Sequence, residues 1–375
     1  MRMSLRSVAS HLALVLVPLA ILLGLAEASV RYTHADESCP NRFTGLPVWA
    51  CDPILQFKLN PELDVLGQKL SRAGFRTHEF TPKRQGVYRI LALGDSCTFG
   101  QLQRGEHYGY VSNPYPLVLE KLLAERVGPG GFEVLNVGIP GYNSYQGLML
   151  LRGKLRDLDP DLITVRFGWN DLFLSEAPPG QGPYRESDRA WLVALEDLAL
   201  RTSLYPFVRR LGFELRAWRG QSPDALRKAF VRQTQWSPTI SLPDYEHNLR
   251  RIVEIGRARG AQVWLLTAPY NTTPSKKARN FVAFNNKIGF DQLMAEHDRY
   301  NDATRALGRE LGVPVIDMDA IYRDNQGVRL FVESDVLHPS QWGQTLEADV
   351  LYRALVARGI AVPTSAIAPG KTPGP

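Results

Sequence analysis

The sequence contains only three cysteines, no block rich in lysine and arginine, and no internal repeat. The cysteines do not form paired Cys-x-x-Cys motifs and no pair of histidines lies near them, so a zinc site is not expected. The formal charge of +6 comes from 44 basic and 38 acidic side chains spread along the chain, so nucleic acid is not an expected partner. With 44% hydrophobic and 22% charged residues, the composition is typical of a globular protein.

Long hydrophobic runs are also scarce, and the main one lies near the N-terminus, from Leu12 to Leu25. Arg2 and Arg6 precede it, which predicts an export signal with its N-terminus in the cytoplasm and the remainder exported. The Ala-Glu-Ala sequence at 26–28 fits a cleavage site, whereas Ser7 to Leu25 is long enough to remain as an uncut membrane anchor. We favour the anchor over a cleaved signal or a buried core helix.

Composition divides the chain into four predicted parts. Residues 1–31 form the signal or anchor, and 32–86 form an extracytoplasmic lead-in with a short helix around Leu63 to Leu70. Residues 87–362 form the main domain, and 363–375 form a disordered tail rich in proline and glycine. The expected location is therefore the periplasm or cell surface, with anchoring to the inner membrane.

Export gives two of the cysteines a role. Cys39 and Cys51 lie in an irregular segment with proline and glycine, where an oxidising compartment allows a loop-closing disulfide. Two free or metal-binding cysteines are the alternative. Cys97 then remains unpaired and is expected to be buried beside a serine.

From Val87 onward, short apolar runs alternate with amphipathic helical stretches, among them helices expected at about 116–126 and 145–158. Parallel strands need helical crossovers of this length, and the crossovers cover both faces of the sheet. We therefore predict a three-layer α/β/α fold with a doubly wound, five-stranded parallel sheet. The five runs are VYRILALG, FEVLNVG, DLITVRFG, AQVWLLTAP and VPVIDMD.

Two stretches exceed what a crossover needs. Residues 172–240 open with a Pro/Gly-rich segment and continue as an amphipathic helical region, and residues 271–290 contain a second loop. The first insertion is either a lid or a packing insertion.

Polar residues follow the predicted strands at the edge where parallel sheets bind ligands. Ser96 follows the first strand, a glycine turn at 138–143 the second, and Asn170 the third. Asp335 and His338 follow the last. These side chains are expected to converge at one edge of the sheet.

The set fills each role of nucleophilic catalysis once. Ser96 can attack an ester carbonyl if a base accepts its proton, and His338 can be that base with Asp335, one helical turn earlier, orienting it. The oxyanion needs fixed donors, which the Ser96 amide, a glycine amide and the Asn170 side chain can supply. Taken singly, these residues could also be turn, packing or capping residues.

The motifs GDSCTFG, NVGIPGYNSYQG, GWND and DVLHP together resemble the four sequence blocks of the SGNH hydrolases, also called the GDSL esterase/lipase family. The resemblance covers roughly Val87 to Leu355 and implies a flavodoxin-like strand order and no metal or organic cofactor. It matches Ser96, Asp335 and His338 to the catalytic triad.

Three further positions are interpreted through the same resemblance. Gly141 and Asn170 match the oxyanion donors, with Gly138 as the rival glycine. Cys97 replaces the apolar residue that often follows the serine and is interpreted as a small hydrophobe. Trp169 replaces a smaller residue and either lines the acyl pocket or packs in the core.

The sequence predicts an exported serine esterase that removes short acyl groups, with acetyl favoured, through an acyl-enzyme on Ser96. Its partners would be an acyl ester substrate, such as an acylated cell-surface polysaccharide, and the membrane through the N-terminal segment. An O-acyltransferase would use the same residues. A non-catalytic envelope module with the same fold is the third possibility.

Overall fold

The computed structural model describes residues 5–35, 48–60, 62–104, 107–174, 185–218, 236–325 and 329–362. The chain forms two compact units, one from Met1–Lys58 with Glu186–Ala225 and the other from Leu59–Arg185 with Leu226–Pro375. The strands are β1 (Trp49–Asp52), β2 (Gln56–Leu59), β3 (Asp64–Val65), β4 (Gln68–Lys69), β5 (Tyr88–Gly94), β6 (Gln101–Arg104), β7 (His107–Tyr110), β8 (Phe132–Asn136), β9 (Leu162–Arg166), β10 (Gln262–Leu266) and β11 (Val315–Ile316). The helices are α1 (Leu5–Thr33), α2 (Ser96–Phe99), α3 (Tyr115–Arg126), α4 (Ser144–Arg152), α5 (Trp169–Leu172), α6 (Ala190–Ala199), α7 (Leu204–Trp218), α8 (Leu242–Ala258), α9 (Lys276–Asn286), α10 (Phe290–Leu311), α11 (Met318–Asp324) and α12 (Gln341–Ala357).

The larger unit is built on a five-stranded parallel sheet in the order β11-β10-β9-β5-β8. Its first strand along the chain lies between the second and third, which is the flavodoxin-like doubly wound order. All five residues of β9 are buried, as expected where helices cover both faces of a parallel sheet. The predicted fold class is confirmed.

Alternating strand residues pack against helices on the two faces of the sheet. On one face, Ile90 and Val134 join a buried cluster with Leu119 of α3 and Leu351 of α12. On the other face, a side chain at Gly256 of α8 would touch Val263 and Ile163, so this helix packs directly on the strands. The sheet edge that carries the site is thus supported by packing on both sides.

The short helix predicted around Leu63 to Leu70 is wrong, because the structure has the antiparallel hairpin β3–β4 there. Its two turn residues, Leu66 and Gly67, have φ of 55° and 81°. Positive φ at both central positions is the geometry of a tight hairpin turn, and glycine adopts it without strain. The Leu-Gly pair determines the turn more strongly than the apolar spacing determines a helix.

Two other predicted boundaries change. The helix expected at 145–158 is α4, which ends at Arg152 with Gly153 after it. The expected loop at 271–290 contains the helix α9, whose first turn is capped by the Ser275 side chain accepting from Ala278 N at 3.3 Å. The cap and the buried Val282 stabilise a helix in a polar sequence that lacks a strong apolar stripe.

The smaller unit contains α1, α6 and α7 together with most of the β1–β2 ribbon. Residues Leu14–Thr33 of α1 are long and apolar enough to cross a bilayer, and they lie near the N-terminus as a signal sequence also would. Cys39, the Cys51 side chain and the predicted disordered tail lie outside the described residues. The same holds for 175–184 and 219–235, and the lid remains a prediction.

Candidate active site

Ser96 lies at the turn between β5 and the short helix α2. The Asp95 side chain caps this turn by accepting a hydrogen bond from Cys97 N at 2.9 Å, while Asp95 O accepts from Phe99 N at 3.0 Å. Gly100 ends the turn in the left-handed region with φ of 86°. Ser96 is therefore held at the first position of a helix, where the backbone N–H has no intrahelical acceptor.

His338 joins Ser96 to Asp335 through hydrogen bonds on both ring nitrogens. Its Nε2 lies 3.0 Å from Ser96 Oγ, and its Nδ1 lies 3.1 Å and 3.0 Å from the two carboxylate oxygens of Asp335. All three residues are buried. A neutral imidazole in this arrangement can accept the serine proton while the carboxylate stabilises the resulting positive charge.

Asp335 is itself fixed by three backbone amides. Its Oδ1 accepts from Leu337 N and His338 N at 3.1 Å each, and its Oδ2 accepts from Gln103 N of β6 at 2.6 Å. Burial opposes ionisation, but the charge of His338 and these hydrogen bonds outweigh it and lower the pKa of the Asp335 carboxyl. Asp335 therefore stays ionised at neutral pH.

The expected helical turn between Asp335 and His338 is wrong, because the segment is an irregular loop of turns and bends. The amide bonds to Oδ1 wrap the loop around the carboxylate in the manner of an Asx turn. Asn271 adds support by donating from Nδ2 to Asp335 O at 3.0 Å. The loop is thus determined by polar contacts, with no helix required.

The glycine turn after β8 and the loop after β9 are joined by Asn170, whose Nδ2 donates to Tyr142 O at 2.9 Å. Gly141 precedes that carbonyl and has φ of 81°. Within the described residues, no hydrogen bond uses the Gly141 N–H, whereas the N–H of Gly138 donates to Asn136 Oδ1 at 3.1 Å. Of the two glycines, Gly141 is the one whose amide can bind an anion.

Gly138 has a separate structural requirement. A Cβ at this position would come within 2.8 Å of Phe99 N and 2.9 Å of Asp95 O, both backbone atoms of the serine turn. Glycine therefore allows the β8 loop to lie directly against that turn. Between Gly138 and Gly141, Ile139 N donates to Gly94 O at 3.2 Å, which ties the two loops together.

Asp171, the residue after Asn170, supports the site and was not among the residues predicted from the sequence. Its carboxylate accepts from Ser144 Oγ at 2.5 Å, Ser144 N at 3.0 Å and Gly168 N at 3.1 Å. Burial raises its pKa to about 7, although the hydrogen bonds favour the ionised form. The position of Asp171 next to Asn170 in GWND was the sequence signal that could have identified it. Through its hydrogen bonds, the Asp171 carboxylate joins the loops on which Asn170 and Tyr142 lie.

Trp169 packs in the core. It is almost fully buried and stacks on His297 with ring centroids 3.9 Å apart, with Tyr270 edge-on at 6.4 Å. Burial lowers the pKa of His297 to about 3, so this imidazole is neutral. Of the two interpretations of Trp169, the buried stack favours packing.

Cys97 is buried beside Ser96, as predicted. Its thiol donates to Leu337 O at 3.3 Å, and burial raises its pKa well above the ordinary value. A neutral thiol is a poor nucleophile, which favours the interpretation of Cys97 as a small hydrophobe.

A buried ion pair lies in the same unit. Arg166 Nη1, at the end of β9, lies 2.5 Å from Glu347 Oε1, and Tyr322 donates to that oxygen at 2.9 Å. The pair was not predicted from the sequence, because 181 residues separate its members. Within the described ranges, no cluster of three or more His, Cys, Asp or Glu side chains is arranged to hold a metal ion.

Comparison with known proteins identifies the class. The model of the GDSL-like lipase/acylhydrolase family matches residues 92–346, and the chain belongs to this family. It is a serine ester hydrolase of the GDSL/SGNH type. No curated protein matches the sequence.

Solved structures with a similar fold come from several bacteria. A lipase/acylhydrolase from Enterococcus faecalis is 20% identical with a TM-score of 0.44, over 72% of this chain and 97% of that one. Axe2, an acetylxylan esterase from Geobacillus stearothermophilus, is 18% identical with a TM-score of 0.44, over 72% and 95%. An aryl esterase of M. smegmatis is 14% identical with a TM-score of 0.44, over 72% and 99%.

Proposed function

We propose that the protein is an exported, membrane-anchored esterase that removes short acyl groups, with acetyl favoured, from an acylated glycan of the cell envelope. The observation that carries the proposed reaction is the 3.0 Å contact between His338 Nε2 and Ser96 Oγ, with the Asp335 carboxylate on the other ring nitrogen. Two contacts on one imidazole provide a nucleophile, its base and the group that orients the base.

In the proposed reaction, Ser96 Oγ attacks the ester carbonyl carbon while its proton passes to His338 Nε2. Asp335 stabilises the imidazolium, and the oxyanion accepts hydrogen bonds from the amides of Ser96 and Gly141 and the side chain of Asn170. The bond to the alcohol breaks as His338 returns the proton to the leaving oxygen. Water, activated by the same imidazole, then hydrolyses the acyl-enzyme.

The burial of the nucleophile supports a short acyl group. Ser96 is only 4% exposed, so a small acyl group approaches Oγ more easily than a long chain. Location supports the glycan, because an apolar helix preceded by arginines predicts export to the compartment where envelope polysaccharides lie.

The test measures nitrophenol release from esters of increasing acyl length by the full chain in detergent. Ser96→Ala and His338→Ala should each lower kcat roughly a thousand-fold or more, whereas Ser112→Ala, an exposed serine of the same unit, should not change it. Equal activity of Ser96→Ala and wild type would disprove the proposed mechanism.

Acetylated oligosaccharides with and without acceptor sugars then define the reaction. Release of acetate in the presence of acceptor supports the esterase, while faster transfer to the sugar would replace it with an O-acyltransferase. If the folded wild type neither turns over nor reacts at Ser96 with a fluorophosphonate, the protein is a non-catalytic module.

A further inference from the structure

Helices α6 and α7 form a hairpin across a short connection, with Tyr205 Oη donating to Glu196 Oε1 at 3.0 Å, and α7 is hydrogen-bonded to the end of the N-terminal helix. Glu27 Oε1 accepts from Ser203 N at 3.0 Å, and Glu27 Oε2 accepts from Leu204 N at 2.8 Å. Amides at the start of a helix have no intrahelical acceptor, so this carboxylate caps α7. Arg210 Nη1 also donates to Ala35 O at 2.7 Å, so α7 is held to α1 at two points.

The position of Glu27 on α1 fixes the depth of the hairpin if α1 crosses a membrane. The large apolar side chains from Leu14 to Leu25 are exposed to solvent in the single chain. The segment Ser7–Leu25 lies within α1 and spans about 29 Å as a helix, which matches the hydrocarbon thickness of a bilayer. Glu27 is the first charged residue after Leu25, about 3 Å further along the axis, and it pairs with Arg31 at 2.6 Å. Glu27 therefore marks the boundary between hydrocarbon and water.

The hairpin presents apolar side chains close to this boundary. Leu198, Leu195 and Val208 are 61%, 55% and 53% exposed. Leu195 and Leu198 are three residues apart on one face of α6, and Val208 lies about 6 Å along α7 from the capped amide of Leu204. The headgroup layer is about 5–8 Å thick on each side of the hydrocarbon. The three side chains thus lie within reach of it.

We propose that the tip of the α6–α7 hairpin rests in the headgroup layer of the bilayer that α1 crosses, with Leu195, Leu198 and Val208 in contact with lipid. The inference rests on the proposed membrane anchoring. Arg201 in the connection between the helices is exposed and can pair with lipid phosphates. Lipid is the expected occupant because the hairpin that carries this apolar patch is hydrogen-bonded to α1 directly after the exposed apolar stretch Leu14–Leu25.

The contacts also bear on whether α1 is an anchor or a cleaved signal. Cleavage after residue 28 would remove Glu27 and leave the first amides of α7 uncapped. We therefore infer that α1 is retained and that the hairpin and the anchor are one membrane-binding unit. The intact mass of protein extracted from membranes should include residues before 28.

The test uses nitroxide labels on the full chain reconstituted in phosphatidylcholine vesicles. One label is placed at Leu198→Cys and a matched label at Leu66→Cys, which replaces a leucine of 60% exposure at the β3–β4 turn of the other unit. Labelling of the unsubstituted protein measures the background from native cysteines. For each label, the rate of collision with oxygen, which is enriched in lipid, is compared with the rate of collision with a water-soluble nickel chelate.

The label at 198 should collide several-fold less with the chelate than the label at 66, and more with oxygen. Equal accessibility of the two sites would overturn the proposal. Dipolar broadening between labels at 198 on different chains would also overturn it, because a second copy would then cover the patch. Recovery of protein lacking residues 1–28 would also overturn the proposal, because α1 would then have been removed.

Glu27→Ala supplies a second variant that leaves the apolar side chains in place. Loss of the cap should release the hairpin from α1 and raise chelate access at 198, whereas Glu27→Gln, which keeps one acceptor oxygen, should raise it less. Nitrophenyl acetate hydrolysis should be unchanged in all these variants. A failure of the esterase proposal would appear in that assay alone, so the two proposals fail separately.

Discussion

The Asn170 side chain donates a hydrogen bond from Nδ2 to Tyr142 O at 2.9 Å and thereby ties together the loops that follow two strands of the sheet. An amide nitrogen carries two N–H groups, so one remains for a ligand. The residue before Tyr142 is Gly141, whose amide is the second donor proposed for the oxyanion. One contact therefore fixes the spacing of two proposed donors before substrate binds.

Replacing Asn170 with alanine should remove a donor that acts mainly in the transition state. We expect kcat to fall about 10²- to 10³-fold, with little change in KM. Asn285→Ala is the matched control, because Asn285 also donates to a backbone carbonyl, Phe281 O at 2.8 Å, on the exposed side of α9. Steady-state kinetics of both variants test whether Asn170 is an oxyanion donor. A kcat for Asn170→Ala near that of the control would exclude this role.

Asp335→Asn should keep the shape of the site but lose the charge that orients His338. An asparagine can donate to Nδ1 and so favour the wrong tautomer, and we expect kcat to fall about 10⁴-fold. The rate of fluorophosphonate labelling at Ser96 should fall in parallel with kcat. Near-normal labelling with an intact fold would contradict the proposed role of Asp335.

Cys97 should remain unreactive in the folded protein. It is buried beside the nucleophile and its pKa is raised by burial, so iodoacetamide at pH 8 should leave both the thiol and the esterase activity intact. Cys97→Ala should retain kcat within about ten-fold and lose about 1 kcal/mol of stability through a small cavity. Rapid alkylation with loss of activity would show that the thiol is accessible and ionisable.

Asp171 should make the stability of the fold depend on pH. Its pKa is raised to about 7 in the folded protein from an ordinary value of 3.8, so the native state holds a proton that the unfolded state releases. The contribution of this raised pKa to the free energy of unfolding is fully present below about pH 4. It is lost as pH rises toward 7, by up to about 1.4 kcal/mol per pH unit. Thermal unfolding in detergent at pH 5 and pH 7 measures this loss.

Two variants test whether Asp171 is the group responsible for this pH dependence of stability. Asp171→Asn should show a smaller loss of stability between pH 5 and pH 7 than wild type, because the titrating group is gone. Asp291→Asn removes a carboxylate that is 88% exposed and should behave as wild type. If the slope of Asp171→Asn equals that of wild type, another buried carboxyl is responsible.

Strong local patterns allowed much of the fold to be predicted from the sequence. The five apolar runs became the five parallel strands, because each run is short, buried and followed by a helix. Prediction was wrong where local signals conflicted, as at Leu66-Gly67, or where one cap determined the outcome, as at Ser275. It also missed contacts between distant polar groups, including the Arg166–Glu347 pair.

Hydrophobic patterning was enough to predict which residues lie at the carboxyl edge of the sheet, because short apolar runs that alternate with helical stretches indicate parallel strands. It also supplied the long apolar helix at the N-terminus. The contact between Ser96 and His338 required the tertiary structure, since these residues are 242 positions apart and meet only when the last loop wraps around Asp335. The capping of α7 by Glu27 was likewise decided only in three dimensions, because helix-end amides bind whichever acceptor packing brings within reach.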